Sequence, residues 1–305
     1  MTTEVVLDVR RRLTEALLEP AVVDPGWQER RMRALDRIVE SALTGQNPAA
    51  LRLTEHDIRT ALAARGSEGG SHRTPQSPGT GPFEWSATNA RRTLGIASVR
   101  KLVRRDARTP MDAVQLVIAD SVRDAEGGRA VSSLDAWLAG LTGAARSAVA
   151  ADAVCWATRL WNALDWHSFS PPPDIGRDHW WDCPKSALLA VRSRADVRTV
   201  VPATGADDGA PEGPHPGRGG VASVHLVTLQ GPRRPTARAE LCVLGLIETF
   251  LAPAVPVPGR VVGWWPASGH TLRVEFDAHA LDEGVEALES ILAHGTRRAR
   301  GAGAA

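Results

Sequence analysis

Cysteine is scarce in this sequence, and its spacing excludes two kinds of site. The three cysteines, Cys155, Cys183 and Cys242, are far apart and form no Cys-x-x-Cys pair. A four-thiolate iron–sulfur cluster and a structural zinc site both need cysteines at closer, paired spacing. Free thiols are typical of a reducing compartment, so the cysteine content favours a cytoplasmic protein.

Long apolar segments are missing as well. The N-terminal stretch MTTEVVLDVRRRL lacks the continuous apolar core of a secretion signal. No apolar run approaches the roughly 18–20 residues that a membrane-spanning helix needs. We therefore predict a cytoplasmic protein that makes no use of a membrane.

Charge is balanced, which limits what the net electrostatic field can attract. The 305 residues carry a net charge of +1, with 36 basic and 35 acidic side chains. The lysines are Lys101 and Lys185 alone, so nearly all the basic residues are arginines. Without a global positive field, any surface that binds nucleic acid has to be a local patch.

The motifs of several common enzyme classes are absent. The sequence has no Gly-x-Ser-x-Gly nucleophile motif, no phosphate-binding loop and no dinucleotide-binding fingerprint. Asp178, His179 and Asp182 are close together in sequence, but their spacing matches no familiar metal site. The order of helices and strands is therefore the main indication of function.

Composition divides the chain into five segments. Residues 1–66 and 83–170 show apolar residues at helical spacing, and residues 67–82 are rich in serine, glycine and proline, which is typical of a flexible linker. Strands and helices alternate in residues 174–296, and residues 297–305 are expected to be a disordered tail. We therefore predict a helical N-terminal half followed by an α/β domain.

The predicted α/β domain has a definite order of elements. Strands are predicted at SALLAVRSRADVRTVV and ASVHLVTLQ, with a long glycine- and proline-rich loop between them. A helix capped by Thr236 follows. The stretch RVVGWWPASGHTLRVEF is typical of a β-hairpin, and a last helix comes after it. This order predicts a central mixed sheet flanked by helices.

Residues 174–296 contain two short polar motifs, SRADV with Asp196 and VTLQG with Thr228 and Gln230. These motifs and the order of elements around them resemble the PD-(D/E)XK nuclease superfamily, especially its RecB-family exonuclease domains. The stretch SRADV matches the first motif, so the resemblance makes Asp196 the family's first metal-binding carboxylate. In VTLQG, Thr228 lies where the family has a second acidic residue, and Gln230 lies where it has a lysine. Glu240 falls near a polar position of the following helix. The resemblance implies a restriction-endonuclease-like core with a degenerate catalytic motif.

The replaced positions bear directly on catalysis. A nuclease of this kind binds Mg²⁺ or Mn²⁺ through carboxylates and substrate phosphates, so Asp196 alone would be a weak metal ligand. Thr228 is uncharged, and Gln230 offers no cation to the negative charge that develops in the transition state. We therefore expect a catalytically impaired nuclease fold that has no cofactor.

Basic residues cluster in two stretches where DNA phosphates would neutralise them. An exposed helix of an arginine-rich protein would show the same pattern, so the alternative of a solvated surface stays open for the first stretch. The candidates in the helix at residues 91–108 are Arg91, Arg92, Arg100, Lys101, Arg104 and Arg105, and those just past the second strand are Arg233, Arg234 and Arg238.

We expect this protein to bind DNA, or a protein partner in bacterial DNA repair or defence. One alternative is an active Mg²⁺- or Mn²⁺-dependent DNase with a relocated site, which would use Asp182, Lys185, Asp196 or Glu240. Another alternative is a protein–protein adaptor with no nucleic-acid role, whose helical half docks a partner.

Overall fold

A computed structural model describes most of the chain and divides it into two compact units. The described residues are 3–23, 26–44, 51–66, 85–128, 132–176, 178–184, 189–204, 220–251 and 256–302. The helical unit comprises Met1–Glu15 and Gly79–Gly176, and the α/β unit comprises Ala16–Pro78 and Arg177–Ala305. The predicted linker at residues 67–82 and Lys185 lie outside the described residues.

The elements confirm the predicted fold class, with helices dominating the first half of the chain and a mixed sheet in the second. The helices are α1 (Thr3–Leu18), α2 (Trp27–Thr44), α3 (Glu55–Gly66), α4 (Ala87–Val103), α5 (Pro110–Glu126), α6 (Ser133–Gly140), α7 (Gly143–Ala163), α8 (Ala237–Leu251) and α9 (Ala278–Ala302), with a 3₁₀ turn at Trp166–Ser168. The strands are β1 (Ala21–Val22), β2 (Leu51–Leu53), β3 (Asp174–Ile175), β4 (Asp178–Asp182), β5 (Leu189–Arg194), β6 (Val197–Thr204), β7 (Val221–Thr228), β8 (Pro258–Trp265) and β9 (His270–Glu275).

In the helical unit, short polar side chains fix where the helices begin. The Thr109 hydroxyl oxygen accepts a hydrogen bond from the Asp112 backbone N–H at 3.2 Å, and Pro110 occupies the first helical position of α5. Ser132 and Asp135 form a capping box at the start of α6. These contacts fix the first turns of both helices.

The core of the helical unit lies between α4, α5 and α7. Helix α4 packs against α5 and α7, and α5 also packs against α6. An apolar stripe of α7 is buried, including Ala153, Trp156 and Leu160. A β-carbon at Gly95 of α4 would lie 2.6 Å from Trp156 Cε3, so glycine is needed there for α4 and α7 to approach.

The main sheet of the α/β unit is mixed. Its strands are in the order β1, β6, β7, β8, β9. Strand β6 is antiparallel to β7, and β7 is parallel to β8 after the crossover through α8. Strands β8 and β9 form the predicted antiparallel hairpin. A second sheet has the order β2, β5, β4.

Helices α2, α3, α8 and α9 build the core of the α/β unit with these strands. Ile38, Ile58, Val227, Leu246 and Leu288 are all buried in one apolar cluster, and each comes from a different element. Helix α8 is buried over nearly its whole circumference, as expected for a helix at the centre of a core. The burial of α8 is what makes its two glutamates, Glu240 and Glu248, unusual.

The structure differs from the sequence prediction in its strands and in the role of the N-terminal segment. The single strand predicted at residues 186–201 is two strands, β5 and β6, because the chain changes sheet at Ala195 and Asp196. Residues 16–66 belong to the α/β unit, to which they add β1 and β2. Helix α9 continues through Ala302, whereas disorder was expected from residue 297.

Buried Arg260 explains much of the attachment of the N-terminal segment. Its guanidinium donates hydrogen bonds to the backbone oxygens of Ala16, Glu19 and Pro20, at 2.8, 3.2 and 3.0 Å. It also donates from Nε to Glu275 Oε1 at 2.8 Å. Because these carbonyls lie in the last turn of α1 and just after it, one side chain of β8 fixes the path of the chain into β1.

Candidate functional site

The bend between β5 and β6 places Asp196 against the end of β7. Asp196 is fully buried, and its Oδ2 atom accepts a hydrogen bond of 2.6 Å from the Thr228 backbone N–H. The Asp196 backbone N–H in turn donates to the Leu226 oxygen at 2.8 Å. Two positions that sequence motifs singled out, 32 residues apart, therefore meet at one corner of the sheet.

The other side chains at this corner are polar but uncharged. Thr228 is buried, and its hydroxyl oxygen has no hydrogen-bond partner among the described residues. Gln230 is partly exposed, and its backbone oxygen accepts a hydrogen bond from Arg234 Nη1 at 2.9 Å. The corner thus presents one carboxylate, one hydroxyl and one amide.

This set of donors does not fit a catalytic Mg²⁺ or Mn²⁺ ion. Such ions are held through carboxylates that remain open to waters and to substrate phosphates. The Asp196 carboxylate is buried and already accepts a short hydrogen bond from a peptide N–H. With Thr228 as its nearest motif neighbour, it lacks a second acidic ligand.

Glu240, the third motif position, is paired inside the protein. Its carboxylate accepts hydrogen bonds from both the Nε and Nη2 atoms of Arg234, and the Nε contact measures 2.5 Å. Thr236 Oγ1 donates to the same carboxylate at 3.0 Å. The bidentate pair holds the turn after β7 to the first turn of α8, and it occupies both Glu240 and Arg234.

The predicted phosphate-binding residues separate into engaged and exposed groups. Arg92 is buried, Arg238 pairs with Glu283 at 2.8 Å, and Lys101 pairs with Asp120 at 3.3 Å. Arg100 donates to the backbone oxygens of Ile175 and Gly176 at 2.5–3.0 Å. Arg91 is half-buried, while Arg104, Arg105 and Arg233 are exposed.

A group of buried polar residues surrounds Glu248 of α8, and no motif in the sequence points to it. Glu248 Oε1 accepts hydrogen bonds from Ser193 Oγ and Arg198 Nη2, both at 2.5 Å. His179 Nδ1 and His225 Nδ1 lie 3.8 and 4.0 Å from Oε2. Four strands, β4 to β7, are thereby connected to one buried helix.

Burial and charge set the ionisation of this cluster. Burial alone would raise the pKa of Glu248, but His225, His179 and Arg198 together outweigh it, so the pKa is lowered and Glu248 is a carboxylate. Burial lowers the pKa of His225 to about 4, against the partly compensating attraction of Glu248. His225 is therefore neutral at pH 7.

Ser223 determines which nitrogen of His225 carries the proton. Its hydroxyl donates to the Pro256 oxygen at 2.9 Å, so the same Oγ accepts the Nε2–H of His225 at 2.8 Å. The Nδ1 lone pair of His225 then faces Glu248 without a hydrogen bond. Although serine, histidine and glutamate are the residue types of a hydrolase triad, Ser223 is buried and His225 Nδ1 makes no hydrogen bond to the carboxylate. The cluster is therefore a structural part of the core.

A signal for this cluster is present in the sequence. Ser223 and His225 alternate with apolar residues in a strand that is otherwise hydrophobic, and Glu248 interrupts the apolar run of α8. Polar residues on buried elements need partners, so these three indicate a buried network.

Comparisons with known proteins add no relative. No family model, no curated protein and no solved structure matches the chain. Among the helices described above, none is long and apolar enough to cross a membrane.

Proposed function

We propose that this protein is a cytoplasmic, non-cleaving relative of the RecB-like PD-(D/E)XK nucleases, and that it binds DNA during DNA processing. The hydrogen bond from the Thr228 N–H to the Asp196 carboxylate carries the proposal. It joins the two motif positions at the edge where the resembled nucleases have their metal site, and there the acidic residue and the lysine are replaced.

The order of the central elements supports the proposed kinship. Strands β6 and β7 are followed by α8, by the hairpin of β8 and β9, and by α9, which is the element order on which the resemblance rests. The two motif stretches end up on adjacent strands of this sheet, as that resemblance requires.

The chemistry at the corner supports the absence of cleavage. Loss of one preorganised electrostatic partner typically slows a reaction by about 10²–10³-fold, and two are replaced here. Glu240 cannot act as a substitute ligand while Arg234 occupies its carboxylate in a bidentate pair.

Exposed arginines support DNA binding without cleavage. Arg233 lies in the turn directly after β7, where its Nη1 is 3.2 Å from His270 Nε2. It is close in sequence to the corner where the resembled nucleases hold their substrate. Guanidinium groups in such a position bind phosphate oxygens in bidentate fashion.

A paired assay on the purified protein tests this proposal. Fluorescence anisotropy with labelled single-stranded and duplex DNA should show binding that weakens steeply as salt is raised. The same DNA should stay intact with Mg²⁺ or Mn²⁺, and Asp196→Asn should change neither result. Cleavage that Asp196→Asn abolishes would contradict the proposal and favour an active nuclease. Absence of any binding would favour a protein adaptor.

A further inference from the structure

The turn between α4 and α5, residues 104–109, contains an unusual backbone conformation. Arg105 has a φ of 64°, and it is the one non-glycine residue with positive φ in the described part of the chain. The N–H groups of Arg104, Arg105 and Asp106 donate to the oxygens of Arg100, Leu102 and Lys101 at 2.9–3.1 Å. The last of these bonds reaches back five residues and closes the end of α4, as in a Schellman motif.

Glycine is the usual residue at the left-handed position of such a helix end. The β-carbon of any other L-residue crowds its own backbone there, which costs stability. The fold would therefore be served better by glycine at position 105 than by arginine. The Arg105 side chain is exposed, so packing within the described residues does not account for an arginine at this strained position.

The same turn carries three exposed basic side chains. Arg104, Arg105 and Arg108 are exposed and form no ion pair with any described residue. In contrast, Arg100 and Lys101 one turn earlier are engaged by backbone oxygens and by Asp120. Asp106 is also exposed and offsets part of the positive charge of the turn.

We propose that this α4–α5 turn contacts the phosphate backbone of DNA through Arg104, Arg105 and Arg108. This inference rests on the proposed function and narrows it to one surface of the helical unit. Three guanidinium groups within five residues suit a polyanion with regularly spaced charges, and each can bind a phosphate in bidentate fashion. The predicted partners Arg92, Arg100 and Lys101 would then serve the fold instead.

Arg105→Gly gives the decisive experiment, because stability and binding are expected to change in opposite directions. Removal of the strained β-carbon should raise Tm by about 2 °C. Loss of one phosphate contact should weaken the affinity for labelled duplex DNA about fivefold and reduce the slope of log Kd against log salt by about 0.9. A merely structural role for Arg105 would give no loss of affinity.

Two further variants separate a local contact from a general change in charge. Asp106→Asn removes the negative charge from the turn and should tighten DNA binding by about as much as Arg105→Gly weakens it. Arg159→Ala removes an exposed arginine of α7 outside the turn, so it should leave the affinity unchanged.

The outcomes distinguish this inference from the proposed function. If the wild-type protein binds DNA and Arg105→Gly binds equally well, the turn is not the contact surface, although the proposed function stands. If the wild-type protein does not bind DNA, both fail. If polyglutamate binds at the turn and DNA does not, an acidic protein partner replaces the nucleic acid and overturns the inference.

Discussion

At the scale of single residues, His225 shows how a buried polar group makes stability depend on pH. Its folded-state pKa is lowered from 6.5 to about 4, mainly by burial. The unfolded chain therefore binds a proton more readily than the folded protein does between these two values. The free energy of unfolding therefore has its full value with respect to His225 above pH 6.5, and this contribution is lost as the pH falls from 6.5 to 4.

This difference predicts a specific acid sensitivity. Between pH 7.5 and 4, His225 should account for a loss of about 3 kcal/mol in the free energy of unfolding. His225→Gln should be less stable than wild type at pH 7.5, because the buried imidazole and its hydrogen bond to Ser223 are lost, but its stability should fall less on acidification. Urea unfolding at pH 7.5 and 4.5 measures both effects. His270→Gln, at an exposed histidine, should behave as wild type, and an unchanged pH slope for His225→Gln would contradict this account.

At the residue scale, a sequence motif can single out a position, but it does not show which distant residue becomes its partner. Asp196 and Thr228 were singled out by motif, and they meet in the structure. Arg234 looked like a phosphate ligand because it is basic and follows a strand, yet it pairs with Glu240. Charge alone does not reveal whether an arginine has a carboxylate partner within the fold.

At the scale of elements, α8 and α9 pack backbone against backbone at one point. A β-carbon at Gly284 of α9 would lie 2.6 Å from the Cys242 backbone oxygen of α8. Backbone cannot move aside as a flexible side chain can, so any larger residue would force the two helices apart. The apolar cluster that both helices share, including Leu246 and Leu288, would then lose contacts.

Gly284→Ala should therefore destabilise the protein by about 1–3 kcal/mol, the usual cost of overpacking a core. Gly140, the last residue of α6, is the matched control because nothing lies within 4 Å of a β-carbon built there. Gly140→Ala should be neutral or stabilising by up to about 1 kcal/mol. Urea unfolding of both variants measures the difference, and equal stability of the two would contradict close packing at Gly284.

Elements with local signals were predictable, and those defined by distant pairing were not. Helices α5 and α6 begin at the expected caps because Thr109 and Ser132 bond within their own first turns. Strands β1 and β2 are only two and three residues long, and they exist because they pair with β6 and β5, far along the chain. No periodicity can develop over so few residues.

At the scale of the whole molecule, the fold and the chemistry of the resembled nucleases are separable. The central sheet is held by apolar packing around α8, by Arg260 and by the Glu248 cluster. None of these depends on the identity of residues 228 and 230. The sheet therefore does not need metal-binding residues at the Asp196 corner, where the Thr228 N–H donates a hydrogen bond to the buried carboxylate.

Replacing Thr228 and Gln230 by the acidic residue and the lysine of the family motif tests whether the fold is independent of the metal-site chemistry. In a Thr228→Asp, Gln230→Lys double variant, a second carboxylate would lie beside buried Asp196, and their repulsion should lower Tm in metal-free buffer. Mg²⁺ or Mn²⁺ would neutralise the pair. At a hundredfold excess over Kd, the metal should therefore increase the free energy of unfolding of the variant by about 2.7 kcal/mol and raise its Tm. Wild type and an uncharged Thr228→Asn control should show no metal-dependent change in thermal unfolding. If the double variant gains nothing from either metal, the corner is not a degenerate nuclease site, and the similarity to that family extends to the order of elements alone.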